Sequence, residues 1–101
     1  MSFTIKPLSA KAAANGSGNA SNFGKATHVL AVNTADNATY TVTRDNAADT
    51  TLGSFTLPPN GMMIVVKEMT DKLYGSNAAV EFTAVAASGI WWKHIKNLEN
   101  Q

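Results

Sequence analysis

The chain has no cysteine and few charged residues. The absence of cysteine removes disulfides, thiolate metal ligands and a thiol nucleophile together, and it suits folding in a reducing cytoplasm. Charged residues make up 15% of the sequence, against about 25% in typical soluble domains. Asn, Ser, Thr, Ala and Gly take their place. We interpret this composition as typical of a protein that is packed against neighbours in an assembly.

The sequence also lacks a strongly basic region and a long hydrophobic run. The net charge is +1, Arg44 is the only arginine, and the basic residues are scattered. This distribution argues against binding driven by nucleic-acid phosphates or by an anionic membrane surface. No apolar run approaches the roughly 18 residues of a membrane span. Residues 1–8 show no basic region followed by an apolar stretch, so we expect no secretory signal.

Histidine and acidic residues do not form a recognisable chemical site. His28 and His94 are far apart, and neither has a second histidine at metal-ligand spacing. One loop contains three oxygen-bearing side chains, those of Asp45, Asn46 and Asp49. It lacks the spacing and the bidentate glutamate of a calcium loop, so we expect it to form a turn through side-chain hydrogen bonds. No G-x-S-x-G motif or phosphate-binding loop is present. The sequence therefore predicts a non-enzymatic protein with no metal and no cofactor.

What the sequence does contain is a series of short segments with the residue pattern of β-strands. They lie at residues 2–6, 27–34, 38–44, 51–57, 62–68 and 79–86. Residues 62–68 are almost continuously apolar, which predicts a strand covered on both faces. Turn-forming residues at 34–37 and 58–61 predict hairpins. Together these features predict an all-β fold, a small antiparallel β-sandwich or barrel of about five or six strands.

The predicted core consists of the larger apolar residues on one face of each strand. We expect the inward-facing residues to be Leu30, Val32, Tyr40, Val42, Phe55, Leu57, Ile64, Val66, Phe82 and Val85. These side chains are enough for a two-layer core of this length. A chain this short nevertheless buries a modest share of its surface, so neighbouring subunits would add to its stability.

Two segments lie outside the predicted sandwich body of residues 27–88. Residues 1–26 contain a first strand and then a segment, residues 9–25, that is rich in Ala, Gly, Ser and Asn. Its only large apolar residue is Phe23, so we predict a flexible arm, with an ordinary surface loop as the alternative. Residues 89–101 form a predicted tail.

The predicted tail is amphipathic and carries both tryptophans of the protein. Trp91, Ile95 and Leu98 fall at the i, i+4, i+7 spacing of one helix face. Tryptophan is enriched at interface hot spots, and an amphipathic terminal segment can insert into a neighbour's groove. The alternative is a tail folded back over its own domain. The predicted protein-interface residues are Phe3, Ile5, Phe23, Ile90, Trp91, Trp92, Ile95 and Leu98.

Two stretches carry the pattern of a known group of proteins. They read HVLAVNTADNATYTVTRD, beginning at His28, and LGSFTLPPNGMMIVVKEMTDKLYGSNAAVEFTAVA, beginning at Leu52. The pattern is a V-N-T strand, a Thr-rich partner, G-x-F-x-L, a turn, a hydrophobic strand ending in lysine, and a D-x-L-x-[GA]-S loop before the last strand. Over residues 28–87 the chain resembles small structural proteins of tailed bacteriophages, notably those of marine and cyanobacterial hosts.

The resemblance implies a virion structural protein made in the host cytoplasm. A capsid decoration or cement protein is the first expectation, and a tail or neck component is the alternative. The partners would be the major capsid protein or tail and neck subunits, with a homo-oligomer or many copies in the particle. No nucleic acid, membrane or small-molecule substrate is implied. A carbohydrate- or host-binding β-sandwich module is a further alternative, for which Tyr40 and Tyr74 are the candidate surface aromatics.

Removing the tail should separate folding from assembly. The strands already supply a core without the tail. Trp91 and Trp92 would add on the order of 400 Å² of apolar surface, which is too much to leave exposed to water. We expect the chain truncated after Ser88 to melt as a folded domain in circular dichroism but to lose association with its neighbours. Trp91→Ala alone should weaken association by about 2 kcal/mol. Unfolding of the truncated chain would place the tail in its own core and contradict this prediction.

Overall fold

A computed structural model describes residues 6–86 of the chain. Within this range the chain forms the strands β1 (Ala12–Ala13), β2 (His28–Asn33), β3 (Tyr40–Asp45), β4 (Thr51–Leu57), β5 (Met62–Val66), β6 (Lys72–Gly75) and β7 (Val80–Ala84). They form a four-stranded antiparallel sheet in the order β1-β7-β2-β5 and a three-stranded antiparallel sheet in the order β4-β3-β6. The all-β, sandwich-like prediction is confirmed. The predicted first strand at residues 2–6 lies almost entirely outside the described residues, and the predicted tail lies wholly outside them.

The chain changes sheet at most of its connections. Both segments predicted as hairpins, residues 34–37 and 58–61, instead cross from one sheet to the other, because β2 and β5 belong to the four-stranded sheet and β3 and β4 to the three-stranded sheet. The hairpin prediction was therefore wrong. Turn residues show where a strand ends, but they do not specify whether the next strand pairs beside it or crosses the core.

The β3–β4 connection is a true hairpin, and its loop is closed by an asparagine. The Oδ1 atom of Asn46 accepts hydrogen bonds from the backbone N–H groups of Ala48 and Thr50, both at 2.9 Å. Asp49 adopts a positive φ of 65° in the same loop, and its carboxylate lies 2.6 Å from Lys72 Nζ. The turn-forming role predicted for this loop is confirmed.

A buried asparagine joins two of the cross-sheet connections. Asn33, at the end of β2, is fully buried. Its Nδ2 atom donates to three carbonyl oxygens, those of Ala38 at 2.8 Å, Leu57 at 3.0 Å and Pro58 at 3.2 Å. Its Oδ1 atom accepts from the backbone N–H of Ala35 at 3.0 Å. The β2–β3 and β4–β5 connections are therefore held against one side chain.

The turn at residues 58–61, with the sequence Pro-Pro-Asn-Gly, adds to the contact between the two connections. Gly61 N–H donates to Pro58 O at 2.9 Å, and Asn60 supplies the positive φ of 59°. Asn60 N–H also donates to Ala35 O at 3.0 Å, which adds a backbone contact between the two connections. A Cβ atom at Gly61 would lie 2.9 Å from Pro58 O, so a side chain at this position would push the turn open.

The core contains small and medium-sized side chains from both sheets. Its buried cluster consists of Ala14, Val29, Ala31, Val42, Leu57, Leu73, Val80 and Phe82. The predicted burial of Val42, Leu57, Phe82 and Val85 is confirmed.

The inward face of β2 differs from the prediction. Val29 and Ala31 face the core, whereas the larger Leu30 and Val32 lie half-buried on the outer face of the sheet. Side chains alternate along a strand, so the burial of Asn33 sends Val29 and Ala31 inward as well. Asn33, Val29 and Ala31 thus share the inward face of β2, where the amide of Asn33 is fully hydrogen-bonded.

Residues 9–25, predicted as a flexible arm, pack on the body of the protein. Ala12–Ala13 pairs with β7, while Asn15 and Ser21 form bridges to β6. Ala14 is buried in the core, although it is small. The contacts are mainly backbone hydrogen bonds, such as Gly75 N–H to Ala14 O at 2.7 Å. A segment with few apolar side chains can therefore still pair with sheet edges, which composition does not reveal.

Glycine at position 75 bonds to the N-terminal segment and permits close packing between β6 and the start of β7. Its N–H and C=O groups bond to Ala14 O and to the N–H of Gly16, the latter at 3.0 Å. A Cβ atom at Gly75 would lie 2.8 Å from the Cβ of Val80, so a side chain there would push β6 away from the start of β7. The strand β6 was absent from the sequence prediction because Lys72–Gly75 is short and follows a turn.

Asn33→Asp should destabilise the protein strongly. The substitution replaces the donating amide with an oxygen that faces three carbonyl oxygens and buries a carboxylate, so we expect the free energy of unfolding to fall by about 3 kcal/mol or more. Asn37→Asp is the matched control, because Asn37 is exposed in the neighbouring connection. It should change stability by less than about 0.5 kcal/mol. Urea unfolding measures both, and similar losses in the two variants would contradict the role given to Asn33.

Candidate protein interface

The two lateral sides of the sandwich differ. On one side, residues 12–21 run along the edges of both sheets, pairing with β7 and bridging to β6. On the other side, the edge strands are β4 and β5, which are joined by the short turn at residues 58–61. No segment within residues 6–86 pairs with the outer edge of either strand. We call this side, formed by β4 and β5, the open side.

The backbone of β5 presents hydrogen-bonding groups at the open side. The register with β2 is set at both ends, where Asn33 N–H donates to Gly61 O and Lys67 N–H donates to Thr27 O, both at 2.9 Å. In an antiparallel pair alternate residues point their backbone groups to the partner and away from it. The outward-pointing N–H and C=O groups are therefore those of Met62, Ile64 and Val66.

The side chains of β5 are exposed, in contrast to the prediction that both faces of this strand would be covered. Met62, Met63 and Val66 are 56%, 54% and 64% exposed, and Ile64 is half-buried. The predicted inward positions of Ile64 and Val66 were wrong, because the register places them opposite Leu30 and His28 on the outer face of the sheet. As an edge strand, β5 also has a neighbour on one side only within the described residues. An uninterrupted apolar run is compatible with a central strand and with an apolar edge, so the pattern alone does not separate them.

The apolar surface of β5 continues onto its neighbours. The antiparallel register places Leu30 opposite Ile64 and Val32 opposite Met62 on the outer face of the sheet. Met69, just beyond β5, is 52% exposed, and Leu52 of β4 is 45% exposed. The apolar patch therefore extends along the edge and onto the outer face of β2.

The open side lacks the charged residues and prolines that often protect a sheet edge. Neither β4 nor β5 contains a lysine, another charged residue or a proline. Soluble proteins commonly use such residues to prevent edge-to-edge pairing. An uncharged edge with unpaired backbone groups can bind an extended segment by adding a strand to the sheet. The open side therefore has the chemistry of a protein-binding surface.

A buried lysine fixes the chain where β5 ends. Lys67 is only 4% exposed, and its Nζ atom donates to the carbonyl oxygens of Asn22 at 3.0 Å and Glu68 at 3.2 Å. Burial lowers the pKa of Lys67, and the nearby Asp71 carboxylate opposes this shift. Asp71 in turn accepts from Glu68 N–H and lies 3.7 Å from Arg44. Lys67 thus contributes to the fold and does not provide an exposed charge at the edge.

The structure describes one of the eight predicted interface residues. The ring of Phe23 packs against Phe82 of the core, with ring centroids 5.1 Å apart, and is half-buried. Phe23 therefore has an intramolecular contact, and its contact with another subunit stays a prediction. The other predicted interface residues lie outside the described residues: Phe3, Ile5, Ile90, Trp91, Trp92, Ile95 and Leu98.

The remaining candidate residues contribute little to a chemical site. His28 lies on the outer face, with its Nδ1 atom 3.0 Å from Thr27 Oγ1. Residues 6–86 contain no cluster of three potential metal ligands. Tyr40 and Tyr74, the aromatics considered for sugar binding, are half-buried against the core. The same part of the chain contains no helix that is long and apolar enough to span a bilayer.

Comparisons with known proteins found no relative. The chain matches no protein-family model, no curated protein and no solved structure. The function is therefore argued from the geometry of the open side and from the sequence pattern of residues 28–87.

Lys67→Met should alter how stability depends on pH. Burial holds the pKa of Lys67 in the folded chain below 10.5, the value of an unperturbed lysine. At pH values between the folded pKa and 10.5, the folded chain therefore binds fewer protons than the unfolded chain. The contribution of Lys67 to the free energy of unfolding therefore rises with pH across that window. The wild type should gain stability relative to Lys67→Met as the pH approaches 10.5, which urea unfolding at several pH values measures.

Lys6→Met is the control for this measurement, because Lys6 is exposed. It should show the same pH dependence as the wild type. Parallel curves for the wild type and Lys67→Met would contradict the prediction.

Proposed function

We propose that this protein is a non-enzymatic structural subunit of a bacteriophage particle. It acts as a capsid decoration or cement protein that binds neighbouring subunits through the open side of its sandwich and through its terminal segments. The observation that carries this proposal is β5, an apolar, uncharged strand whose outer edge has no partner among residues 6–86.

The contrast between the two sides of the sandwich supports a role in binding. The chain covers the edges of β6 and β7 with residues 12–21, which have little apolar surface of their own. Within residues 6–86 the outer edge of β5 is left open, although β5 is the most apolar of the described strands. Unpaired apolar edges promote association between chains, so they suit a protein that works inside an assembly.

The resemblance to phage structural proteins is a second support, because residues of the resembling pattern have roles in this fold. The asparagine of the V-N-T motif is Asn33, which joins the cross-sheet connections. The turn of the pattern contains Gly61, where a side chain would collide with Pro58. The shared residues thus maintain a fold, and they favour a structural function over a catalytic one.

The number of copies of this protein per particle distinguishes the two proposed positions. A decoration protein would be present in proportion to the capsid subunits, whereas a tail or neck component, the alternative proposal, would match the few subunits of a ring. The carbohydrate-binding alternative receives no support from Tyr40 and Tyr74, because both rings pack against the core.

Purification of intact particles from infected cells tests the proposed function. We expect the protein to co-purify with the particles at a copy number proportional to the major capsid protein, measured by quantitative mass spectrometry. Met62→Lys should reduce incorporation, because it places a charge in the open side. Ala78→Lys should leave incorporation unchanged, because Ala78 is exposed in the β6–β7 connection, away from β4, β5 and the terminal segments. Absence of the wild-type protein from particles would contradict the proposal.

A further inference from the structure

We propose that β5 pairs with β5 of a second copy of this chain. The two strands run antiparallel about a two-fold axis at Ile64, so that two four-stranded sheets become one continuous sheet. The inference names a partner for the open side and in that respect rests on the proposed structural role.

The backbone supplies the first argument. Met62, Ile64 and Val66 point their N–H and C=O groups away from β2. With the axis at Ile64, this residue opposes Ile64 of the partner subunit, and Met62 opposes Val66 of the partner subunit. Each of these pairs brings together residues whose backbone groups point toward the other strand, so each pair exchanges both of its hydrogen bonds.

The side chains are also compatible with self-pairing. Met62, Ile64 and Val66 lie on the same outer face, so apolar side chains meet across the axis and stabilise the pair. The first charged residues beyond β5 are Lys67 and Glu68, which would oppose Gly61 and Asn60 of the partner subunit. No like charges therefore face each other, and the strand is complementary to itself, as a two-fold interface requires.

Two other occupants fit the edge less well. The tail at residues 89–101 has the apolar spacing of a helix, and a helix uses its backbone groups internally, so it does not extend a ladder. Strand β4 is also open, but its exposed residues include Thr51, Ser54 and Thr56, which offer less apolar surface than β5. A second copy of β5 pairs with the outward-pointing backbone groups and also covers the exposed apolar side chains.

The size of the contact limits its strength. A ladder of two five-residue strands is small compared with the roughly 800 Å² per partner of a standard interface. We therefore expect a dimer that dissociates at concentrations on the order of micromolar. Neighbouring subunits in a particle would hold the two copies together through additional contacts.

Cysteine cross-linking tests the register, since the chain contains no cysteine of its own. In the proposed pairing the two copies of residue 64 face each other with Cα atoms about 5.5 Å apart, within the range of a disulfide. Ile64→Cys should therefore form a covalent dimer under mild oxidation. Met62→Cys is the matched control on the same strand and face. Its two copies would lie about 14 Å apart, so it should cross-link at least tenfold more slowly.

Light scattering on the full chain at increasing concentration provides the independent measurement. The wild type and Ala78→Lys should form dimers, and Met62→Lys should weaken dimerisation at least tenfold. Ile64→Pro should do the same, because the N–H that it removes points away from β2 and its own sheet keeps its ladder. Circular dichroism melting at low concentration checks that each variant is folded.

Three outcomes would overturn the pairing of β5. They are a wild type that stays monomeric at high concentration, equal cross-linking of Ile64→Cys and Met62→Cys, and a dimer that persists in Met62→Lys but is lost on truncation after Ala86. The last result would assign the interface to the C-terminal segment. A β5 dimer in a protein that is absent from particles would support this inference while contradicting the proposed function, so the two are tested separately.

Discussion

The buried amide of Asn33 is the interaction on which most of the fold depends. It donates to three carbonyl oxygens of two cross-sheet connections and accepts a hydrogen bond from the backbone N–H of Ala35. Because a strand alternates its faces, the inward position of Asn33 also places Val29 and Ala31 in the core. Leu30 and Val32 are then on the outer face beside β5. The inward position of this polar side chain thus goes together with an apolar outer face on β2 and β5.

The protein closes its sheet edges unequally. Residues 12–21 cover one side with backbone hydrogen bonds and small side chains, and they bond to both backbone groups of Gly75. At the other side, β5 retains unpaired backbone groups and exposed apolar side chains within the described part of the chain. Covering an edge requires no large apolar residues, so the same chain could have protected β5 in the same way. Within residues 6–86, the open edge of β5 is consistent with the proposed binding role.

A surface of this kind needs no reactive residues. Its affinity comes from backbone hydrogen bonds and from apolar contacts, and its specificity comes from register and from the absence of opposing charges. Lys67 illustrates this, because it follows β5 directly but is buried against carbonyl oxygens, leaving the edge uncharged. A function in assembly accounts for these features with fewer assumptions than a catalytic or sugar-binding function.

The sequence by itself determined the all-β class, the positions of five strands and the turns that follow residues 45 and 57, because alternation and turn chemistry are local properties. Only the tertiary structure decided which sheet each strand joins, which face of β2 is buried, and that β6 and residues 12–21 pair with the body. Those features depend on hydrogen bonds between distant residues, such as Asn33 to Leu57 and Ala14 to Gly75. The apolar run of β5 was visible from the start. Its exposure was not, because a residue pattern specifies what a strand can bury, whereas the neighbours in the sheet determine what it does bury.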